Sequence, residues 1–293
     1  MLEPKEILKS AQSGHYAIGA FNFSTAEVLK AIVAVAKELK SPVILATSEN
    51  EAEFFGMREA VALVDAWRHG TGLPLILNLD HGKSFESIKK AVAAGYDAVH
   101  FDGSGLSYEE NLKQTKEVVN WVREVEKTFD RQIIVEGELG YLRGGSSLHS
   151  EALEIKPEDL TKPEQTKEFV EKTGVDSLAI VIGNAHGVFS AGQEKLNLER
   201  LAEIKQAVGD KVFLVLHGGS GLTSEDVKKA IELGIVKTNI NTELRVAYKE
   251  GIEAEMKAKP EETTPYKILA HSFEDVKGVV GEKIRMFGSG NKC

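Results

Sequence analysis

Cysteine is almost missing from this chain of 293 residues: the only one, Cys293, is the last residue. No internal disulfide framework can form, and a reducing compartment, with a cytoplasmic location, is the expectation. No stretch approaches about 18 uninterrupted apolar residues, and the N-terminus has mixed charge without an apolar leader, so neither membrane insertion nor export is expected. Positive charge is in deficit, 36 Lys and Arg against 45 Asp and Glu, for a formal net charge of -9. That balance excludes a general nucleic-acid surface. An anionic substrate would need a local device such as backbone N–H groups, a metal or a few basic side chains. Tandem repeats are also lacking.

What is present is the composition of a soluble globular protein with a sizeable core, 42% hydrophobic and 28% charged. Apolar runs with strand character fall at residues 16–23, 42–48, 74–79, 98–102, 132–138, 177–182, 212–216 and 235–240. Segments with helical spacing lie between them, at 25–39, 51–68, 84–94, 108–127, 163–172, 198–208 and 223–233. This alternation predicts an α/β fold, a (β/α)8 TIM barrel, as one domain over 1–293 with a short helical C-terminal extension, 260–293, carrying one helix at 265–279. Residues 139–163, rich in Gly, Ser and charge, are too long for an ordinary connection and mark an active-site loop.

The strand ends carry the chemistry. In LPLILNLDHG, residues 73–82, Leu75, Leu77 and Leu79 share one face, Ile76 and Asn78 the other, and the run ends in Asp80 and His81. LAIVIGNAHG reaches His186, and VFLVLHGGSG contains His217. A barrel brings such ends together at its C-terminal rim, where Asn22, Ser48, Asp80, His81, Asp102, Glu138, His186, His217 and Asn239 all fall. One histidine alone reads as an ordinary hydrogen-bonded imidazole, but three at matched positions have the composition of a catalytic zinc site. Asp80 next to His81 should face the cavity beside the metal, suited to proton transfer. Gly187 and the run Gly218, Gly219, Ser220 and Gly221, near Lys237, Asn239 and Thr242, offer backbone N–H groups for phosphate.

With GAFNF, SPVILATSE, LNLDHG, FDGS, VEGELG, GVDSLAIVIGNAHG, LVLHGGSGL and VKTNINTELR in this order, the chain resembles the class II, zinc-dependent ketose-bisphosphate aldolases from about residue 16 to 249. The resemblance implies a Zn2+ ion on His81, His186 and His217, with Asp80 as the acid/base at the C4 oxygen. It implies that Gly187, Gly218, Ser220, Asn239 and Thr242 hold the phosphate and enediolate of dihydroxyacetone phosphate. Asn22 and Ser48 match positions near the substrate, and Asp102 and Glu138 match carboxylates that orient a ligand or hold an alternative metal position. A small phosphorylated sugar is the implied partner and a homodimer or homotetramer the implied assembly, while the sequence leaves open whether a monovalent cation assists at Asp102 and the phosphate turns.

The chain also departs from that pattern. After ELG, where the family usually brings acids, it reads YLRGGSSLH, so Ser146, Ser147 and Leu148 lack them. Arg143 is then a candidate for the second phosphate and His149 a candidate substitute base. His100 stands where methionine is common and Gly105 where a histidine is frequent. Asn241 in NINTE leans toward fructose 1,6-bisphosphate, whereas GVDSLA and the tail lean toward tagatose 1,6-bisphosphate. A Schiff base on Lys237 is the mechanistic competitor, and a barrel metallohydrolase the competitor of another class.

Overall fold

The computed structural model describes residues 3–150, 155–189 and 195–293. Its strands are β1 (Ile18–Asn22), β2 (Val43–Ser48), β3 (Leu75–Gly82), β4 (Ala98–Phe101), β5 (Ile134–Leu139), β6 (Gly144–His149), β7 (Ser177–Ile180), β8 (His186–Phe189), β9 (Phe213–Leu216) and β10 (Ile235–Ile240). Eight of them close in the order β1-β10-β9-β7-β5-β4-β3-β2, every pair parallel, with helices between strands. This is the expected (β/α)8 barrel.

Strand alternation divides the residues into two sets. Leu45, Leu77, Leu79, Val99, Val135, Leu178 and Leu216 join the large apolar cluster shared with the helices. Ile18, Ile44, Ile76, Ala98 and Ile134 form a separate cluster inside the barrel with Ile7, Leu8 and Ala11 of the helix Pro4–Ser13. Along the inward-facing positions the chain changes from apolar to polar toward the C-terminal rim: Ile76, Asn78 and Asp80 on β3, Ile134, Glu136 and Glu138 on β5. The apolar end is plugged and the polar end is open.

Four features differ from the sequence expectation. The helix expected at 51–68 is two helices, Glu49–Phe55 and Met57–Thr71, interrupted at Gly56. The helix Pro4–Ser13 and the long helix Thr242–Ala258 were not anticipated. The C-terminal segment is less peripheral than expected: its helix Ala270–Phe287 buries Val276, Val280, Ile284 and Phe287, and Ala17 donates to the Phe287 carbonyl at 3.0 Å. Residues 139–163 are not irregular throughout, since β6 pairs in parallel with β8 as a two-stranded ribbon above the rim. Among the described residues no helix is long and apolar enough to cross a membrane.

Candidate active site

Adjacent strand residues normally point to opposite faces, yet Asp80 and His81 both line one cleft of about 290 Å³. The register between β3 and β4 shifts between Leu79 and Gly82, and His81 has φ +54°. A bulge with a left-handed residue thus breaks the alternation and turns His81 back to the cavity.

His81 Nε2 and His217 Nδ1 face each other at 3.0 Å. Their remaining ring nitrogens are anchored: His81 Nδ1 donates to Asp102 at 2.8 Å and His217 Nε2 to Glu136 at 2.8 Å. His186 lies edge-on to His81, 4.9 Å between ring centroids, and 6.4 Å from His217. It is not at a barrel strand end as expected. It opens β8, beyond the end of β7, and its N–H donates to the Arg143 carbonyl at 2.9 Å.

The electrostatics fit a bound cation. Asp80, Asp102, Glu136 and Glu138 are all buried within this end of the barrel, faced by the ammonium groups of Lys237 and Lys83. Burial lowers the His81 pKa, but Asp80, Asp102 and Glu138 outweigh it and raise it to about 9. Burial, reinforced by His81 and His217, lowers His186 to about 3, and burial also lowers His217 despite Glu136. Two neutral imidazoles and a third whose surroundings favour positive charge suit a divalent ion, which takes unprotonated nitrogen donors and brings its own charge. The carboxylates behind His81 and His217 fix the ring orientations, as supports of metal ligands do.

Asp80 accepts hydrogen bonds from Asn22 Nδ2 at 3.1 Å and Asn239 Nδ2 at 2.9 Å. Burial pushes its carboxyl up, yet His81, His217 and Lys237 prevail and hold it below the usual carboxylate range. An ionised carboxylate with an open cleft before it is equipped to accept a proton.

Gly187, Gly218, Ser220, Asn239 and Thr242 line the same cleft. Gly218 has φ +62°, and a Cβ there would meet the Ala185 carbonyl at 2.2 Å, so the turn requires glycine. The Ser48 hydroxyl also reaches the cleft but caps the helix Glu49–Phe55, accepting from Glu51 N.

Two loop candidates have partners outside the cleft in this structure. The Arg143 guanidinium pairs with Asp159, 2.9 Å from Nη2 to Oδ1, rather than turning into the cleft. His149 stacks on Phe189 at 4.8 Å, and its Nε2 lies 2.9 Å from the Gly145 carbonyl. Both serve the ribbon that carries His186. Asp102 is engaged by Lys83 as well as His81.

Residues not singled out from sequence include Glu51, which accepts from Asn22 Nδ2 at 2.9 Å and from Ser48 N at 2.8 Å, and Arg245, which lines the cleft and donates to the Ser146 carbonyl at 2.7 Å. Glu136 is the most consequential. It accepts from Lys237 Nζ at 2.8 Å and Ser177 Oγ at 3.2 Å while holding His217. Its parity with Glu138 was the available signal. Lys237 is thereby an ion-paired ammonium, whereas a Schiff-base lysine must present a free amine. Lys237→Met is expected to lower unfolding stability by about 3–5 kcal/mol, because it strands a buried carboxylate. An unchanged urea midpoint would contradict this pairing.

Residues 3–292 match the family described as fructose-bisphosphate aldolase class-II. Among solved structures, the YdjI aldolase from Escherichia coli is 33% identical, with 100% of this chain and 99% of that chain covered and a TM-score of 0.82. A fructose-bisphosphate aldolase from Campylobacter jejuni shares the fold at 22% identity, covering 100% of this chain and 97% of that chain, with a TM-score of 0.80.

Proposed function

The chain belongs to the class II fructose-bisphosphate aldolase family, and from that premise we propose that it reversibly cleaves fructose 1,6-bisphosphate to dihydroxyacetone phosphate and glyceraldehyde 3-phosphate, with Zn2+ held by His81, His186 and His217. The family is one of metal-dependent lyases acting on phosphorylated sugars. The observation that carries the reading is the approach of His81 Nε2 and His217 Nδ1 to 3.0 Å, beside His186 and an ionised Asp80. When bound, the ion supplies Lewis-acid polarisation of the ketone carbonyl.

The side chains supply the rest. Asp80 takes the proton of the C4 hydroxyl as the C3–C4 bond breaks and returns it to the aldehyde oxygen in the condensation direction. Asn22 and Asn239, each donating to one Asp80 oxygen, hold that carboxylate in line. Backbone N–H groups around Gly187, Gly218 and Ser220, with Asn239 and Thr242, bind the phosphate of the dihydroxyacetone half without net positive charge. The working form proposed with this activity is a cytoplasmic homodimer or homotetramer.

Coupled assays on fructose and tagatose 1,6-bisphosphate test the proposal. Dihydroxyacetone phosphate should form from the fructose substrate with kcat/KM at least about tenfold above that for its C4 epimer, the discrimination open to a site reading hydroxyl direction. A reversed ratio makes the enzyme a tagatose-bisphosphate aldolase. Release of inorganic phosphate without triose phosphate would overturn the aldolase assignment in favour of a metallohydrolase.

A further inference from the structure

His100 is fully buried in the barrel interior and has no part in the chemistry above. We propose that it is a positioning residue that holds the backbone of His81 in the left-handed conformation on which the shared direction of Asp80 and His81 depends. The inference rests on the proposed metal site, because its consequence is a preorganised His81 ligand.

The ladder between β3 and β4 pairs Leu79 with Val99 and resumes with Gly82 on Phe101, so the N–H of His81 falls within the skipped register. A buried N–H outside the ladder needs another acceptor. His100 Nδ1 supplies it, accepting from His81 N at 3.1 Å. A non-glycine residue at φ +54° is held in a sparsely populated region, which persists only where its surroundings over-determine it. The His100 carbonyl contributes from the other side: a Cβ on residue 82 would meet it at 2.9 Å, so Gly82 lets the bulge close onto β4.

Because Nδ1 accepts, the ring proton of neutral His100 resides on Nε2. Nε2 lies 3.1 Å from Glu138 Oε2, and Nδ1 lies 4.0 Å from Asp80 Oδ1 and 3.9 Å from Glu136 Oε1. The ring fits between those of His81 and His217, at centroid distances of 4.7 and 4.8 Å. His100 therefore touches His81 by backbone and ring together.

The two contacts can be separated by substitution. His100→Asn puts an amide oxygen where Nδ1 sits, keeping an acceptor for the His81 N–H and losing reach to Glu138. His100→Gln reaches toward Glu138 and gives up the Nδ1 position, and His100→Leu removes both. The measurement is the zinc dissociation constant of each metal-stripped protein by chelator competition, with the visible spectrum of the Co2+ form as a reporter of ligand geometry. His100→Asn should bind zinc within about threefold of the parent, while His100→Gln and His100→Leu should bind about 10–100-fold more weakly, the usual effect of losing a support behind a metal ligand. The Co2+ spectrum should change in the weakened pair alone. Equal weakening of the Asn and Gln variants, or parent-like affinity in the Gln variant, would overturn the proposal, and this comparison stands even where the Leu variant fails to fold. Aldol cleavage by the parent, assayed separately, reports on the proposed function: zinc binding without cleavage would remove that function and leave the role of His100 intact.

Discussion

Asp80→Asn is expected to lower kcat about 10²–10⁴-fold, the range for removing a positioned general acid or base, with KM for the bisphosphate little changed. Both Asp80 oxygens accept, one from Asn22 and one from Asn239. An asparagine there must point its own NH2 at one of these donors. That mismatch costs about 1–3 kcal/mol of stability, so the variant should still fold and bind zinc. The loss would therefore lie in proton transfer, and zinc content measured beside kcat separates it from collapse of the site. A kcat within about fivefold of the parent would remove Asp80 from the acid/base role, since even the weak end of such catalysis exceeds that factor.

His217→Ala should act on the metal instead. The ring faces His81 Nε2 through Nδ1 and is anchored by Glu136 through Nε2, so truncation removes one nitrogen donor and part of what satisfies the buried Glu136. Zinc affinity should fall by more than about 100-fold, beyond the effect of losing a residue that only supports a ligand. Activity at limiting zinc should fall on the order of 10³-fold, corresponding to several kcal/mol of lost charge stabilisation. Stoichiometric zinc retained through dialysis, with parent-like kcat, would exclude His217 from the ligand set.

The barrel was legible because its strands are short apolar runs ending in polar residues, the pattern parallel strands buried on both faces must show. The segments that escaped have physical reasons. The helix Thr242–Ala258 buries Thr242, Leu244, Gly251 and Glu255, so no apolar stripe announces it. Gly251 sits where a Cβ would meet Ser272 Cα at 2.4 Å, an approach to the next helix rather than a helix break. The strand GGSSLH of the ribbon is largely exposed and lacks alternation, so its pairing with His186–Phe189 is a tertiary event. In the cleft, His81, His217 and Asp80 stand at strand ends as the sequence suggests, His186 lies beyond the end of β7, and Glu136 was passed over although it shares the inward parity of Glu138. Arg143 and His149 became substrate candidates because their loop departs from the family pattern. Local partners, Asp159 for one and Phe189 for the other, claim them in the structure.

The central claim is that cleavage depends on an ion held by His81, His186 and His217. Its most direct test is the rate of dihydroxyacetone phosphate release from fructose 1,6-bisphosphate by chelator-stripped protein, titrated with Zn2+. The account predicts that cleavage is lost on stripping and returns in proportion to added zinc, saturating near one equivalent per chain. Full cleavage by metal-free protein would contradict it.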